Sequence, residues 1–181
     1  MTRRLLVLLA AVALTIAPSA LSAQLSTSLV VAGGVAIPLS DLGTRVDAGY
    51  NVAAGLNFGA PLIPIGVRLE GAYDSFNYKG TVASGSSSSR RAISGTLNAI
   101  LALGPTGASP YLIAGVGMYN VDGVGLTNGT KTVAGVNGGA GIRFPLGLIS
   151  TFVEARYHQV LGNPTDNTDL KFVPITFGVS F

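Results

Sequence analysis

Apolar and polar residues alternate along eight stretches of this chain, and this period of two limits its fold more than any other feature. Successive side chains of a β-strand point to opposite faces, whereas an amphipathic helix repeats about every 3.6 residues. The stretches cover residues 26–37, 48–59, 64–76, 92–103, 109–121, 131–144, 150–161 and 171–181. The pattern predicts eight β-strands, and it predicts no helix between them.

The composition excludes several classes of protein. Only 10% of the residues are charged and the mean hydropathy is +0.53, whereas soluble domains carry about 25% charged residues. A disordered chain would need low hydrophobicity, and after residue 25 no apolar run reaches the roughly 18 residues of a transmembrane helix. Because the chain has no cysteine and one histidine, we expect no disulfide, no metal and no cofactor.

The first residues have the pattern of an export signal. Arg3 and Arg4 precede an apolar run of 13 residues, Leu5–Ala17, which only Thr15 interrupts, and a short segment of small and turn-forming residues. The run is too short for the roughly 20 residues of a membrane anchor, and the order of segments is typical of a secretory signal peptide. We therefore predict a signal peptide over residues 1–23 and a single barrel domain over residues 24–181.

The net charge of the exported chain is small. Removal of the two arginines reduces the 11 basic residues to 9 against 8 acidic residues. A chain so close to neutrality has no electrostatic reason to bind nucleic acid, despite its high isoelectric point.

The connections between the predicted strands alternate in length. Three are short, at Ala60–Ile63, Gly104–Ala108 and Pro145–Ile149, and the others are longer and more polar. Short turns at one end and long loops at the other are typical of barrels in the bacterial outer membrane, which have an even number of antiparallel strands. The sequence thus predicts an all-β fold, an eight-stranded antiparallel transmembrane β-barrel with up-and-down topology.

The charged residues distinguish a membrane barrel from a soluble one. None of the 17 lies on a predicted apolar face, where an arginine or lysine would cost about 2–4 kcal/mol at the membrane midplane. A soluble barrel would need far more charge on its outer surface. Five charged residues lie in mid-strand on the opposite face, and with the single histidine they form a predicted ion-pair network in the lumen: Arg68, Glu70, Arg143, Glu154, Arg156 and His158. Such a network either fills the interior or lines a narrow conduit.

The eight strands, the signal peptide and the last five residues resemble the small OmpA/OmpX-type outer-membrane barrels of Gram-negative bacteria. In that family a terminal phenylalanine preceded by apolar residues at alternate positions is the assembly signal, which corresponds here to Ile175, Phe177, Val179 and Phe181. The resemblance implies an outer-membrane location, contact with membrane lipid and lipopolysaccharide, and recognition by the barrel-insertion machinery. We expect a monomer.

The resemblance leaves the activity open, since the family includes structural proteins, adhesins, narrow pores and enzymes. We predict a structural or surface-interaction role without catalysis, with a passive pore for ions or small solutes as an alternative. A lipid A-modifying enzyme is the third possibility. The deacylases of this family have a histidine followed two residues later by a serine on the outer wall. Here the residue two positions after His158 is Val160, and the alternation of the strand places His158 on the inner face.

Other predictions concern the barrel ends. Arg90 and Arg91 border a long serine-rich loop and are candidates for contact with the phosphates of lipopolysaccharide. Aromatic residues near the strand ends suit the girdles at the membrane interfaces: Tyr50, Phe58, Tyr73, Tyr111, Tyr119, Phe144, Tyr157 and Phe181. The glycines among residues 138–141 are not a phosphate-binding loop, and in a strand they permit close packing.

Overall fold

The chain forms a closed barrel of eight antiparallel strands in which each strand pairs with its sequence neighbours and the last pairs with the first. The computed structural model describes residues 26–60, 63–79, 89–104, 107–122, 130–161 and 170–181, so the predicted signal peptide lies outside it. The strands are β1 (Ser26–Leu39), β2 (Gly49–Gly59), β3 (Ile65–Asn77), β4 (Ser89–Ala102), β5 (Ser109–Asp122), β6 (Thr130–Leu146), β7 (Ile149–Val160) and β8 (Lys171–Ser180). The predicted fold class and topology are confirmed.

The observed strands differ from the predicted ones mainly at their ends. Strand β4 begins at Ser89 rather than at residue 92, and β6 continues to Leu146 rather than ending at residue 144. The longer β6 leaves only Gly147 and Leu148 to connect it to β7. Gly147 has a φ of 73°, a conformation that glycine adopts without steric cost.

One helix was not predicted. The six residues Ser40–Arg45 form α1 between β1 and β2, and the backbone N–H of Val46 donates to the Leu42 carbonyl where the helix ends. One and a half turns are too short to produce a visible helical period in the sequence. The Leu42 side chain is fully buried against interior residues of the strands, so tertiary packing stabilises this turn. No helix of the described residues is long and apolar enough to cross a bilayer.

Ladder hydrogen bonds leave the sheet without an edge. Strands β1 and β8 pair from Val30 opposite Ser180 to Leu39 opposite Lys171. The backbones of Leu29 and Phe181 also exchange two hydrogen bonds, at 2.7 and 3.0 Å. Closure is required of any sheet in hydrocarbon, where no water satisfies unpaired backbone groups.

The two faces of the sheet have opposite character. Large apolar side chains point outward and are about half exposed, as for Leu69 (53%), Ile93 (56%) and Val116 (60%). Their strand neighbours Arg68, Ser94 and Glu70 point inward and are buried. An apolar exterior, with the charged mid-strand side chains confined to the inner face, is the reverse of a soluble barrel and matches the surface that lipid requires.

Three layers fill the interior along the barrel axis. The loop-end cluster lies beneath the long loops and is apolar, and the turn-end cluster, also mainly apolar, lies toward the short turns. Charged residues lie between them. The loop-end cluster consists of Ala36, Leu42, Val46, Phe76, Ala92, Tyr119, Val121, Val160, Leu170 and Phe172. The turn-end cluster consists of Val30, Ala32, Ala53, Ile100, Tyr111, Ile113 and Phe152.

Inward glycines make room for the bulky residues of these layers. A Cβ on Gly141 would collide with the phenol ring of Tyr111, and one on Gly178 would collide with the ring of Phe152. In an eight-stranded barrel the lumen is only wide enough for side chains to fill it. Large interior side chains such as these therefore need a neighbouring residue without a side chain. This supports close packing as the role of the strand glycines.

Candidate functional site

Four charged side chains meet in the middle of the barrel. Arg68 and Glu70 are two residues apart on β3, and Glu154 and Arg156 are two residues apart on β7, so each pair shares the inward face of its strand. The side chains are 1–5% exposed. We call these four residues the charged quartet.

The quartet forms a ring in which positive and negative charges alternate. The Arg68 Nη1 atom lies 3.0 Å from Glu154 Oε2 and 3.5 Å from Glu70 Oε2. Arg156 closes the ring, because its Nε lies 2.7 Å from Glu154 Oε1 and its Nη2 donates to Glu70 Oε1. Each charge thus contacts two of the opposite sign, and the ring has no net charge.

Neutral groups also contact the quartet. The Arg68 Nε donates to Asn57 Oδ1 at 2.8 Å, and the Tyr111 hydroxyl donates to Glu154 Oε2 at 2.7 Å. The Arg68 guanidinium also lies over the Phe152 ring, 5.1 Å from its centre. Removing one member would leave a buried charge without its partner, which typically costs about 3–5 kcal/mol.

Two residues predicted for the network lie elsewhere. The Arg143 guanidinium is half-buried near the short turns and lies over the Tyr111 ring at 5.6 Å, outside ion-pair distance of the quartet's carboxylates. His158 is buried among aromatic rings: its Nδ1 is 2.9 Å from the Tyr119 hydroxyl, and its ring stacks on Phe172 at 4.9 Å between centres. The structure thus brings four of the six predicted residues together.

Several interior residues were missed by sequence reasoning. Asp74 is 1% exposed and accepts a hydrogen bond from Asn51 Nδ2 at 2.7 Å, although it was not among the residues predicted for the network. Its parity with Arg68 and Glu70 was the available signal. The girdle prediction is wrong for Tyr111 and Tyr119, which are buried inside the barrel.

The two candidate lipopolysaccharide ligands face opposite ways. Arg90 is 4% exposed on the inner face of β4, whereas Arg91 is exposed on the outer face. Adjacent strand residues cannot both point outward. A joint contact by both side chains is therefore wrong, and Arg91 alone has the exposure that a lipid contact needs.

The residues of the predicted assembly signal lie on the outer wall of β8. Ile175, Phe177 and Phe181 are 41%, 58% and 57% exposed, and Val179 is partly exposed. Recognition of these residues by an insertion machinery stays a prediction. The described residues contain no group of three or more side chains that could hold a metal ion.

Comparison with known proteins identifies the family and the fold. A family model described as the outer membrane protein beta-barrel domain matches residues 6–181. The crystal structure of neisserial surface protein A (NspA) is similar with a TM-score of 0.61 and 14% identity, over 85% of this chain and 95% of that chain. The N-terminal β-barrel domain of Pseudomonas aeruginosa OprF has 17% identity and a TM-score of 0.48, over 87% of this chain and 100% of that chain. A search of curated proteins finds no match to the sequence.

Proposed function

The chain belongs to the outer membrane protein beta-barrel domain family, and from this premise we propose that it is a structural or surface-interaction barrel whose lumen lets no solute pass through. It is an integral protein of the bacterial outer membrane. The observation that carries the proposal is the filling of the lumen. A barrel that conducts nothing acts through the surfaces that it presents to the membrane and to the solvent at its two ends.

The loop-end cluster supports closure at the outer mouth. Leu42 of α1, Phe76 of β3, and Leu170 and Phe172 at the start of β8 are all fully buried, so side chains from three parts of the chain pack together in the lumen. The first two loops are also joined, because Val46 pairs with Tyr78 and the Lys79 Nζ donates to the Gly43 carbonyl at 2.7 Å. An ion entering from this side would have to displace an apolar layer.

The charged quartet supports a second closure in the middle of the barrel. A pore for ions presents its charges to water, whereas these four side chains are almost completely buried and neutralise one another. Opening a path through them would separate buried opposite charges, which is unfavourable in a low-dielectric interior.

The surroundings of His158 support a role without catalysis. A histidine that activates a nucleophile must reach it and the substrate. The His158 side chain is 2% exposed, points into the lumen, and contacts Tyr119 and Phe172 rather than a serine or a lipid-facing surface. Lipid A in the outer leaflet has no access to it from the outer wall.

Conductance of the purified chain in planar bilayers tests the proposal. We expect no stable openings for the wild-type barrel, with an open porin recorded in the same membranes as the positive control. Stable openings that disappear in Arg68→Ala or Glu154→Ala would establish the pore instead.

Mass spectrometry of lipid A tests the absence of enzymatic activity. We expect unchanged lipid A acyl chains in membranes with and without the protein.

Assembly through the last strand and the monomeric state are further parts of the proposal. The outward exposure of Phe177 and Phe181 supports recognition from outside, because these side chains do not take part in the interior packing. We expect Phe181→Ala to reduce insertion into outer membranes while refolding in detergent stays normal. Equal losses in both assays would mean that the residue acts on stability alone.

A further inference from the structure

The turn end of the barrel is open where the loop end is filled. A cavity of about 530 Å³ lies at this mouth, bounded by the starts and ends of several strands. We call it the turn-end cavity. Its polar lining consists of Ser26, Thr27, Ser28, Asn57, Ser150 and Ser180 in addition to Arg143.

The polar groups of the cavity form an arc across four neighbouring strands. Ser150 of β7 is directly opposite Ser180 of β8 in the ladder. The Ser180 hydroxyl donates to the Ser28 hydroxyl of β1 at 2.9 Å, and Asn57 Nδ2 of β2 donates to the same oxygen at 3.4 Å. The arc therefore presents polar groups from several directions to whatever occupies the mouth.

Arg143 is the charged side chain in the lining of this cavity, and no acidic side chain lines it. Within the described part of the chain, Arg143 forms no ion pair. Its guanidinium packs on the Tyr111 ring, and the Tyr111 hydroxyl is committed to Glu154, whose carboxylate already contacts Arg68 and Arg156. Arg143 thus has no carboxylate of its own, since Glu154, the acidic group that interacts with it electrostatically, is already paired with two arginines of the quartet.

A half-buried guanidinium beside hydroxyl groups is suited to an anion. We propose that the turn-end cavity binds a phosphate group, with Arg143 as the cationic ligand and the Ser28 and Ser150 hydroxyls as further donors. Arginine pairs with phosphate through two parallel hydrogen bonds. A tetrahedral phosphate has oxygens directed at several strands at once, which fits donors arranged in an arc better than a planar carboxylate does.

The outer surface at this end brings phospholipid headgroups within reach. The turn tips are apolar and exposed: Leu148 is 101%, Leu146 58% and Ile63 57% exposed. The described turn residues carry no charged side chain that would keep this end in water. The wall therefore stays apolar down to the turns, and headgroups of the inner leaflet surround the cavity mouth. The phosphate has two sources, a lipid headgroup or inorganic phosphate from the periplasm.

Nuclear magnetic resonance of the full chain in a detergent without phosphate tests the site. The Arg143 Nε–H resonance is followed during titration with inorganic phosphate, with a short-chain phosphatidylglycerol, and with sodium chloride at equal ionic strength. We expect a saturable shift with a dissociation constant on the order of 1 mM, absent with chloride. Saturation by both phosphate compounds identifies a general phosphate site, and saturation by one identifies its source.

Matched variants separate the site from the fold. Arg143→Gln should weaken binding about 10-fold or more, as expected for loss of a charge-assisted hydrogen bond, and Ser150→Ala should weaken it by a smaller factor. Because Arg143→Gln removes the reporter, backbone amides of the cavity are followed in the variants, and Arg91→Gln on the outer wall is the control. If Arg143→Gln fails to fold, Arg143→Lys and Ser150→Ala give the comparison. Shifts equal to those with chloride, or unchanged binding in the cavity variants, would overturn the proposal.

Discussion

The two ends of the barrel interior differ in how completely side chains fill them. At the loop end, α1 and two aromatic rings fill the lumen, and Phe76 and Phe172 meet edge to face at 5.5 Å. At the turn end, the lumen widens into a cavity lined by hydroxyl groups and Arg143. Both ends border the same charged quartet. The difference between them therefore lies in the side chains that the strand ends and connections place in the lumen.

The difference follows from the lengths of the connections. A long connection can return residues such as Leu42 and Leu170 to the interior, where they bury apolar surface worth about 1.5–3 kcal/mol for a side chain of this size. A two-residue turn such as Gly147–Leu148 has no residue to spare, and its leucine stays outside. An open end is therefore the consequence of tight turns, and a sealed end is the consequence of loops.

The largest expected effect is the loss of a quartet member. Arg68→Ala leaves Glu154 and Glu70 sharing one arginine in a buried site, and we expect the free energy of unfolding to fall by about 3–5 kcal/mol. Denaturant titration of the refolded barrel in lipid vesicles measures it. Arg91→Ala on the outer wall is the control and should change stability by about 0.5 kcal/mol or less. Equal effects of the two variants would mean that the quartet is not the central support of the interior.

The loop-end cluster should respond almost as strongly to truncation. Phe76→Ala removes a fully buried ring, and we expect a loss of about 3–5 kcal/mol from lost burial and the cavity left behind. Leu148→Ala at the turn tip is the matched apolar truncation. Because the Leu148 side chain is fully exposed, its loss should change the free energy of unfolding by about 0.5 kcal/mol or less. Similar losses at the two ends would remove the distinction between sealed and open.

A glycine pair measures how tightly the interior is filled. Gly141→Ala places a methyl group against the Tyr111 ring, and such overpacking should cost about 1–3 kcal/mol. Gly95→Ala places the same group on the outer wall, where nothing lies within 4 Å, and should be neutral or stabilising by about 0.5–1 kcal/mol, since glycine is unfavourable in strands. Unfolding titrations of both variants check the sign of each effect.

The smallest stability effect is expected in the turn-end cavity. Ser150→Ala removes one partly exposed hydroxyl at an open mouth, where water has access, so we expect a change of about 0.5 kcal/mol or less. The same unfolding titration measures it, with Thr96→Ala as the buried counterpart because Asn98 donates to the Thr96 hydroxyl at 2.9 Å. A larger loss for Ser150 than for Thr96 would contradict an open turn end.

Much of the fold could be predicted because lipid requires apolar side chains on the outer face of each strand and leaves charged side chains to the inner face. In β7 the alternation of Val153, Glu154, Ala155 and Arg156 fixes which face meets lipid, and the register then follows from the connections. The same parity rule placed Arg68 and Glu154 inside without any knowledge of their contacts.

The rest depends on contacts between residues distant in the sequence. Helix α1 is stabilised by Leu42 packing on residues of other strands, which no local pattern records. Tyr111 and Tyr119 are aromatic residues near strand ends, as in a girdle, but the alternation of β5 places them on the inner face. Their rings are buried in the space beside Gly141 and Gly135. Arg143 has the parity of the quartet, yet the turn end is too far along the axis for it to join.

Cysteine accessibility tests most directly whether the interior is sealed at the loop end and open at the turn end. The chain has no native cysteine, so single variants can be labelled with a membrane-impermeant maleimide in nanodiscs, where both barrel mouths face solvent. We expect Ser150→Cys in the turn-end cavity to react rapidly, and Ala92→Cys in the loop-end cluster to react only after unfolding. Rapid labelling of Ala92→Cys in the folded barrel, at a rate similar to that of Ser150→Cys, would contradict a sealed loop end.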